Sequence, residues 1–180
     1  MRYRDKVWGM DREAEWESLL PEDGLEGIEA KGKWARHGDA VKCEAGGDGA
    51  QLVFGGHDWR DYEVKCRVEA EKGGNVQIVF RLSEDGAKGY MLDLLYGWQA
   101  VAISRIDRGS VLKLSVVNHE LRHSRSYEIE LAARGASLTS YVNGILVNQV
   151  TAFDHQQGRF ALNVWNGKTS FERPMARRLA

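Results

Sequence analysis

The chain has 180 residues, enough for one sizeable hydrophobic core and too few for two comfortable ones. Its 25 Lys and Arg are matched by 26 Asp and Glu, so no bulk field recruits nucleic acid or a membrane surface. No run of about 18 apolar residues occurs, which excludes a membrane-spanning helix.

In chain order, Met1–Met10 mixes Arg2, Arg4, Asp5 and Lys6 with few apolar residues. It lacks the apolar stretch of about 7–15 residues that a secretory leader requires. The expectation is a soluble protein, cytoplasmic as written, or extracellular if the chain is part of a larger exported protein. Asp11–Leu20 reads as a short helix or as a strand packing Trp16, Leu19 and Leu20 on the body. Cys43 falls in phase with Val41, and Cys66 with Val64 and Val68, so both read as core thiols, with one disulfide as the alternative. Gly46-Gly47-Asp48-Gly49 is no phosphate loop, because neither Lys-Ser/Thr nor a helix follows it.

After residue 50 the pattern has period two, in short runs set off by Gly, Asn and Asp. Tyr62, Val64, Cys66 and Val68 alternate with charged residues. Val76, Ile78, Phe80 and Leu82 then alternate with Gln77, Val79 and Arg81, and Lys72-Gly73-Gly74 between the two runs suits a hairpin. Residues 89–95 continue the plan, with Tyr90, Leu92 and Leu94 on one face and Met91, Asp93 and Leu95 on the other. Further strands are expected at 99–106, 111–117, 126–133, 138–142, 145–150 and 159–165. Asn143-Gly144 is a strong two-residue hairpin signal. About ten strands with no long helical pattern predict an all-β, two-sheet antiparallel jelly-roll sandwich occupying residues 1–180 as a single domain.

The landmarks Gly32-Lys33-Trp34, Asp58-Trp59-Arg60-Asp61-Tyr62, Asn75 running to Phe80-Arg81, Gly89-Tyr90, Tyr141-Val142-Asn143-Gly144 and Gly158-Arg159-Phe160 occur in an order that resembles one family. It is the concanavalin A-like 3-keto-disaccharide hydrolases, with related laminin-G-like glucanase-fold modules, and the likeness covers about residues 16–178. The resemblance implies a saccharide site on the curved sheet of a jelly roll. The family's Gly-Tyr-Glu-x-Gln stands here as Gly89-Tyr90-Met91-Leu92-Asp93, and its Leu-Gln-Asp-His-Gly as Leu162-Asn163-Val164-Trp165-Asn166. The family's glutamate and histidine are therefore replaced by Met91 and Trp165, and no catalytic residue is assigned.

Other motifs have plainer readings beside the chemical ones. His119-Glu120-Leu121-Arg122-His123 is a literal His-Glu-x-x-His, but zinc chemistry needs it on a helix and it lies between two strand-like runs, so a hairpin loop and no metal are expected. Glu128 and Glu130 could form a carboxylate pair for glycoside hydrolysis, yet they alternate with apolar residues as a solvated strand face does. Acidic turns at Glu22-Asp23-Gly24 and Asp107-Arg108-Gly109 leave a structural calcium open, with no other cofactor expected. Tyr62 and Tyr90 share the apolar phase and belong between the sheets, while Trp34 and Trp59 read as structural. Gln77, Arg81, Asp93, Trp98, Tyr141, Asn163 and Trp165 remain as candidate carbohydrate-binding residues, most of them out of phase with the core, with aromatic faces on which sugar rings stack. Saccharide recognition is the expected function, with a saccharide or glycoside as partner and no nucleic acid or membrane. An active keto-glycoside hydrolase, glycosidase or lyase is the alternative, and a laminin-G-like protein-interaction module the third reading.

Overall fold

Alternating residues on extended backbone can bury one face only by stacking a second sheet on it, and the strands do so here. The computed structural model describes residues 15–179. The leader reading of Met1–Met10 and the first part of the helix-or-strand choice over Asp11–Leu20 lie outside the described residues. Among the described residues thirteen strands follow one another: β1 (Glu17–Ser18), β2 (Glu29–Lys31), β3 (Trp34–His37), β4 (Ala40–Ala45), β5 (Ala50–Phe54), β6 (Tyr62–Leu82), β7 (Lys88–Leu95), β8 (Ala100–Asp107), β9 (Ser110–Asn118), β10 (Ser126–Arg134), β11 (Ser137–Val142), β12 (Ile145–Thr151) and β13 (Arg159–Arg178). One 3-10 turn, Tyr96–Trp98, sits between β7 and β8.

The hairpin expected at Lys72-Gly73-Gly74 is corrected. β6 runs straight through it, hydrogen-bonded along its length to β13. The glycines are there for closeness: a Cβ on Gly74 would stand 1.6 Å from the Trp165 carbonyl oxygen, and one on Gly73 1.9 Å from that of Asn166. At this crossing both strands leave one sheet and enter the other. β13 likewise extends beyond the 159–165 run expected from sequence, because its second half pairs β4 and β6 in the opposite sheet.

The first sheet therefore has the order β12-β11-β10-β6-β13-β4-β3, using residues 62–70 of β6 and 167–178 of β13, with β1 on the end of β13. The second has the order β9-β8-β7-β6-β13-β5-β2, using residues 75–82 and 159–165. Between them lies one apolar core, with Val64, Cys66, Val68, Ile129, Leu131 and Phe171 from the first sheet and Leu52, Val76, Ile78, Phe80, Leu92 and Phe160 from the second. Tyr62 and Tyr90 are buried in it, and Trp34 and Trp59 pack at its margin, as their phase indicated. Asn143 and Gly144 both adopt positive φ (51° and 77°) and close the β11–β12 hairpin. Cys43 and Cys66 are free and buried. Burial, with a smaller contribution from Glu44, pushes the Cys43 thiol up to about 11, and burial alone takes Cys66 to about 12.

Candidate functional site

The side chains of the second sheet that do not enter the core stand on its outer face, and strand register arranges them in rows. Trp165, Asn75, Leu95, Ala100 and Asn118 lie side by side in the row nearest the crossing. The next row is Gln51, Asn163, Gln77, Asp93 and Ala102. Beyond it come Val53, Ala161, Val79, Met91, Ser104 and Lys113, of which the first four make a small apolar cluster of their own. A polar row thus runs between a row carrying a tryptophan and an apolar row.

Asp93 anchors the polar row. It is 1% exposed, and such a carboxylate must be matched by donors. Gln77 Nε2 donates to its Oδ1 (2.6 Å), while Ser104 Oγ (2.9 Å) and Lys113 Nζ (2.9 Å) both donate to Oδ2. Lys113 Nζ also reaches Ser104 Oγ at 3.3 Å. The other end of Gln77 accepts the Trp165 indole N–H at 3.1 Å. One glutamine therefore links the buried carboxylate to the exposed ring. Trp165 is 40% exposed and rests on Gly49, where an added Cβ would come within 3.0 Å of the ring. The Asn163 Oδ1 atom beside it is buried and has no hydrogen-bond partner.

Of the candidate residues, Gln77, Asp93, Asn163 and Trp165 come together on this face. Trp98, 69% exposed on the β7–β8 turn, borders it, with Lys113 Nζ 6.0 Å from its ring centroid. Two candidates are corrected. Arg81 does not project with Gln77: its φ of 52° breaks the alternation, so Leu82 joins the outer apolar cluster and Arg81 is 0% exposed. The Arg81 guanidinium donates to the Arg60 carbonyl through Nε (3.3 Å) and Nη2 (3.1 Å), lies 3.5 Å from Asp61 and leaves Nη1 buried without a partner, and its backbone N–H donates to Tyr62 Oη at 2.6 Å. Tyr141 belongs to β11 and so to the first sheet. It lines a cavity of about 380 Å³ there with Glu63, Glu130, Arg134 and Arg177, remote in register from the other candidates. Ser104 and Lys113 were missed. Lys113 interrupts the apolar run 111–117, and that lone charge was the available signal.

The remaining motifs have structural surroundings. His119–His123 forms the β9–β10 connection. The His123 ring stacks on Tyr96 and its Nε2 lies 3.0 Å from the Gly73 carbonyl, while His119 meets Tyr127 edge-on. Glu128 pairs with Arg67 at 3.3 Å on the first sheet. Glu63, buried in that sheet, is clamped by Arg134 and Arg177. Burial alone would raise its pKa, and the two guanidinium hydrogen bonds outweigh this and hold it below the ordinary glutamate range. Among the described residues no group of three or more His, Cys, Asp or Glu is placed to hold a metal ion, and no helix is long and apolar enough to cross a membrane.

Comparison with known proteins places these features in context. The model of a 3-keto-alpha-glucoside-1,2-lyase-like domain matches residues 15–174. No curated protein matches the chain. Among solved structures, the carbohydrate-binding module CBM66 from Bacillus subtilis superimposes with a TM-score of 0.75 at 17% identity, over 90% of this chain and 94% of that one. The apo Crh5 transglycosylase gives 0.69 at 14% identity, over 94% and 85%. The exoplasmic/lumenal domain of VIP36 gives 0.70 at 10% identity, over 91% and 88%. At such identities the likeness is one of fold.

Proposed function

This chain belongs to the 3-keto-alpha-glucoside-1,2-lyase-like domain family, and from that premise we propose that the outer face of its second sheet binds a saccharide. The observation that carries the reading is the chain of contacts from Asp93 through Gln77 to Trp165. It turns a buried charge into a fixed aromatic platform. With its polar N–H tied back to Gln77, Trp165 offers ring surface to the apolar face of a sugar. Asn163 and the free N–H capacity of Lys113 stand beside it for hydroxyls. Proteins of this fold carry sugars in their own structures: Crh5 is described in complex with NAG and VIP36 in a Man3GlcNAc-bound form.

Recognition is favoured over turnover by the same contacts. Gln77, Ser104 and Lys113 all donate to Asp93, which is 1% exposed, so the carboxylate is a buried structural centre and is not presented to a substrate as a base. Trp165 occupies the position where the resembled family has a group able to move protons.

The test is binding of the protein to a glycan array followed by calorimetry on Trp165→Ala. Saccharide binding should be lost while stability falls by about 1 kcal/mol or less, as for other substitutions outside a core. A variant that loses stability heavily but keeps its affinity would move the site elsewhere. Incubation with a 3-keto glucoside should release no product, and catalytic release would replace recognition with turnover.

A further inference from the structure

We infer that the outer edge of β9 is the seam of a symmetric dimer, in which a second copy of this chain lays its own β9 antiparallel alongside and the second sheets of both copies run on into one. The inference does not depend on the saccharide reading. β9 ends the second sheet and β12 ends the first, and Asn148 of β12 donates to Ser115 Oγ of β9 at 2.9 Å, so the two strands close the same side of the sandwich. Six of the nine large apolar side chains left exposed among the described residues stand there: Val111, Leu112, Leu114 and Val116 on β9, and Ile145 and Leu146 on β12, each between 36% and 67% exposed. A strip of that size on a lone chain marks a contact surface.

The backbone of this edge is as unguarded as its side chains. Open strands are normally blunted by shortness, charge or proline, and the opposite side of the sandwich follows that rule, with β2 only Glu29-Ala30-Lys31 and β3 only Trp34-Ala35-Arg36-His37. β9 has nine residues with no proline and a single charge, and that charge, Lys113, is turned onto Asp93. Among the described residues β9 pairs only β8. The His119 N–H bonds back to the Gln99 carbonyl, so by alternation the N–H groups of Val117 and Ser115 face β8 and that of Val116 faces the open edge.

The edge is complementary to itself. A twofold axis at Leu114, the midpoint of the strand, brings Leu112 opposite Val116 and Lys113 opposite Ser115, so apolar groups meet apolar groups and neither lysine faces its own copy. Each Lys113 keeps its Asp93 partner, which leaves the seam without net charge. The six side chains leave open on the order of 500 Å² of apolar surface, the upper end for a lone chain, and two copies that cover it fully bury about 1,000 Å², the lower bound of a stable interface. Ile145 and Leu146 are carried to the same interface because Asn148 ties β12 to β9. The product is one continuous sheet with the outer faces of both copies on the same side.

The experiment is sedimentation velocity on the full chain over about 1–100 μM, the range in which an interface at the small end of the stable class assembles. The wild type should reach twice the chain mass of 20.3 kDa within that range. Val116→Pro removes the N–H that faces the partner, and Leu114→Lys sets a charge on the axis against its own copy, so each should raise the dissociation constant by about tenfold or more. Val116→Ala keeps the N–H and should lose far less. A β-type circular dichroism spectrum with a cooperative melting transition shows that a variant is folded, and Leu114 is exposed, so the lysine variant decides the matter even where the proline one does not fold. A chain that stays monomeric to about 100 μM overturns the inference and assigns the edge to a different partner. A dimer that survives either substitution in folded protein, or equal losses from Val116→Ala and Val116→Pro, also overturns it, since the copies then do not meet by pairing their β9 strands. None of these outcomes touches the saccharide reading.

Discussion

At the scale of single residues, Lys113 and Asp93 show how a polar group can sit in a sheet with little cost. Asp93 is buried with its donors, whereas Lys113 remains partly in water, so the pair escapes most of the desolvation penalty of a fully buried bridge. Removing the lysine leaves the carboxylate short of a donor. Lys113→Met should therefore lower stability by about 1.5–3 kcal/mol, the range for a hydrogen bond to a charged group, read as a shift in the urea midpoint at constant slope. A neutral result would mean that Gln77 and Ser104 suffice. Phase in the sequence put Gln77, Asp93 and Asn163 on one face of their strands, where the structure has them, because each lies in regular strand. Arg81 was illegible for a physical reason: one residue at positive φ reverses the side-chain direction, and no local pattern announces it in a non-glycine.

At the scale of elements, the strands themselves were readable, and so was the Asn143-Gly144 turn, because period and turn chemistry are local properties. The passage of β6 and β13 from sheet to sheet was not. Gly73-Gly74 satisfies the composition of a hairpin and of a close crossing equally well, and only the long-range partner distinguishes them. The crossing gives its own prediction. Gly74→Ala has to separate two central strands to admit a methyl group at 1.6 Å from a backbone oxygen. It should cost more than about 4 kcal/mol or abolish folding, whereas Gly86→Ala, on a turn with nothing within 4 Å, should cost only the strain of its positive φ. Comparable melting temperatures for the two variants would show that the crossing can relax.

At the scale of the whole molecule, Glu63 couples strands that are far apart in sequence, since β6 contributes the carboxylate, β10 ends in Arg134 and β13 carries Arg177. Its folded pKa lies below the unfolded value of about 4.3, so its contribution is fully present above about pH 4.3 and is lost as pH falls through the folded pKa. Denaturation at a series of pH values should therefore show a steep acid limb for the wild type. Glu63→Gln should be less stable at neutral pH and should lack that part of the acid dependence. Parallel acid limbs would assign the dependence to other carboxylates. The fold class was legible because it follows from the count and period of strands. The division of the candidates between two faces was not, since it depends on which sheet each strand joins: Tyr141 has the right residue type and phase but is carried by the other sheet.

The sharing of β6 and β13 between the sheets also sets the order in which the protein can be made. Every strand from β1 to β12 precedes β13, yet β4, β5 and both halves of β6 take it as their second neighbour, beside β3, β2, β10 and β7 in turn. Neither layer can close until residue 178 has been made, and until then one edge of β6 is left unpaired. A chain that lacks β13 keeps β3-β4 and β2-β5 apart from the strands on the other side of β6. Closure of both layers thus waits on β13, and the folding rate is governed by contacts of long sequence separation.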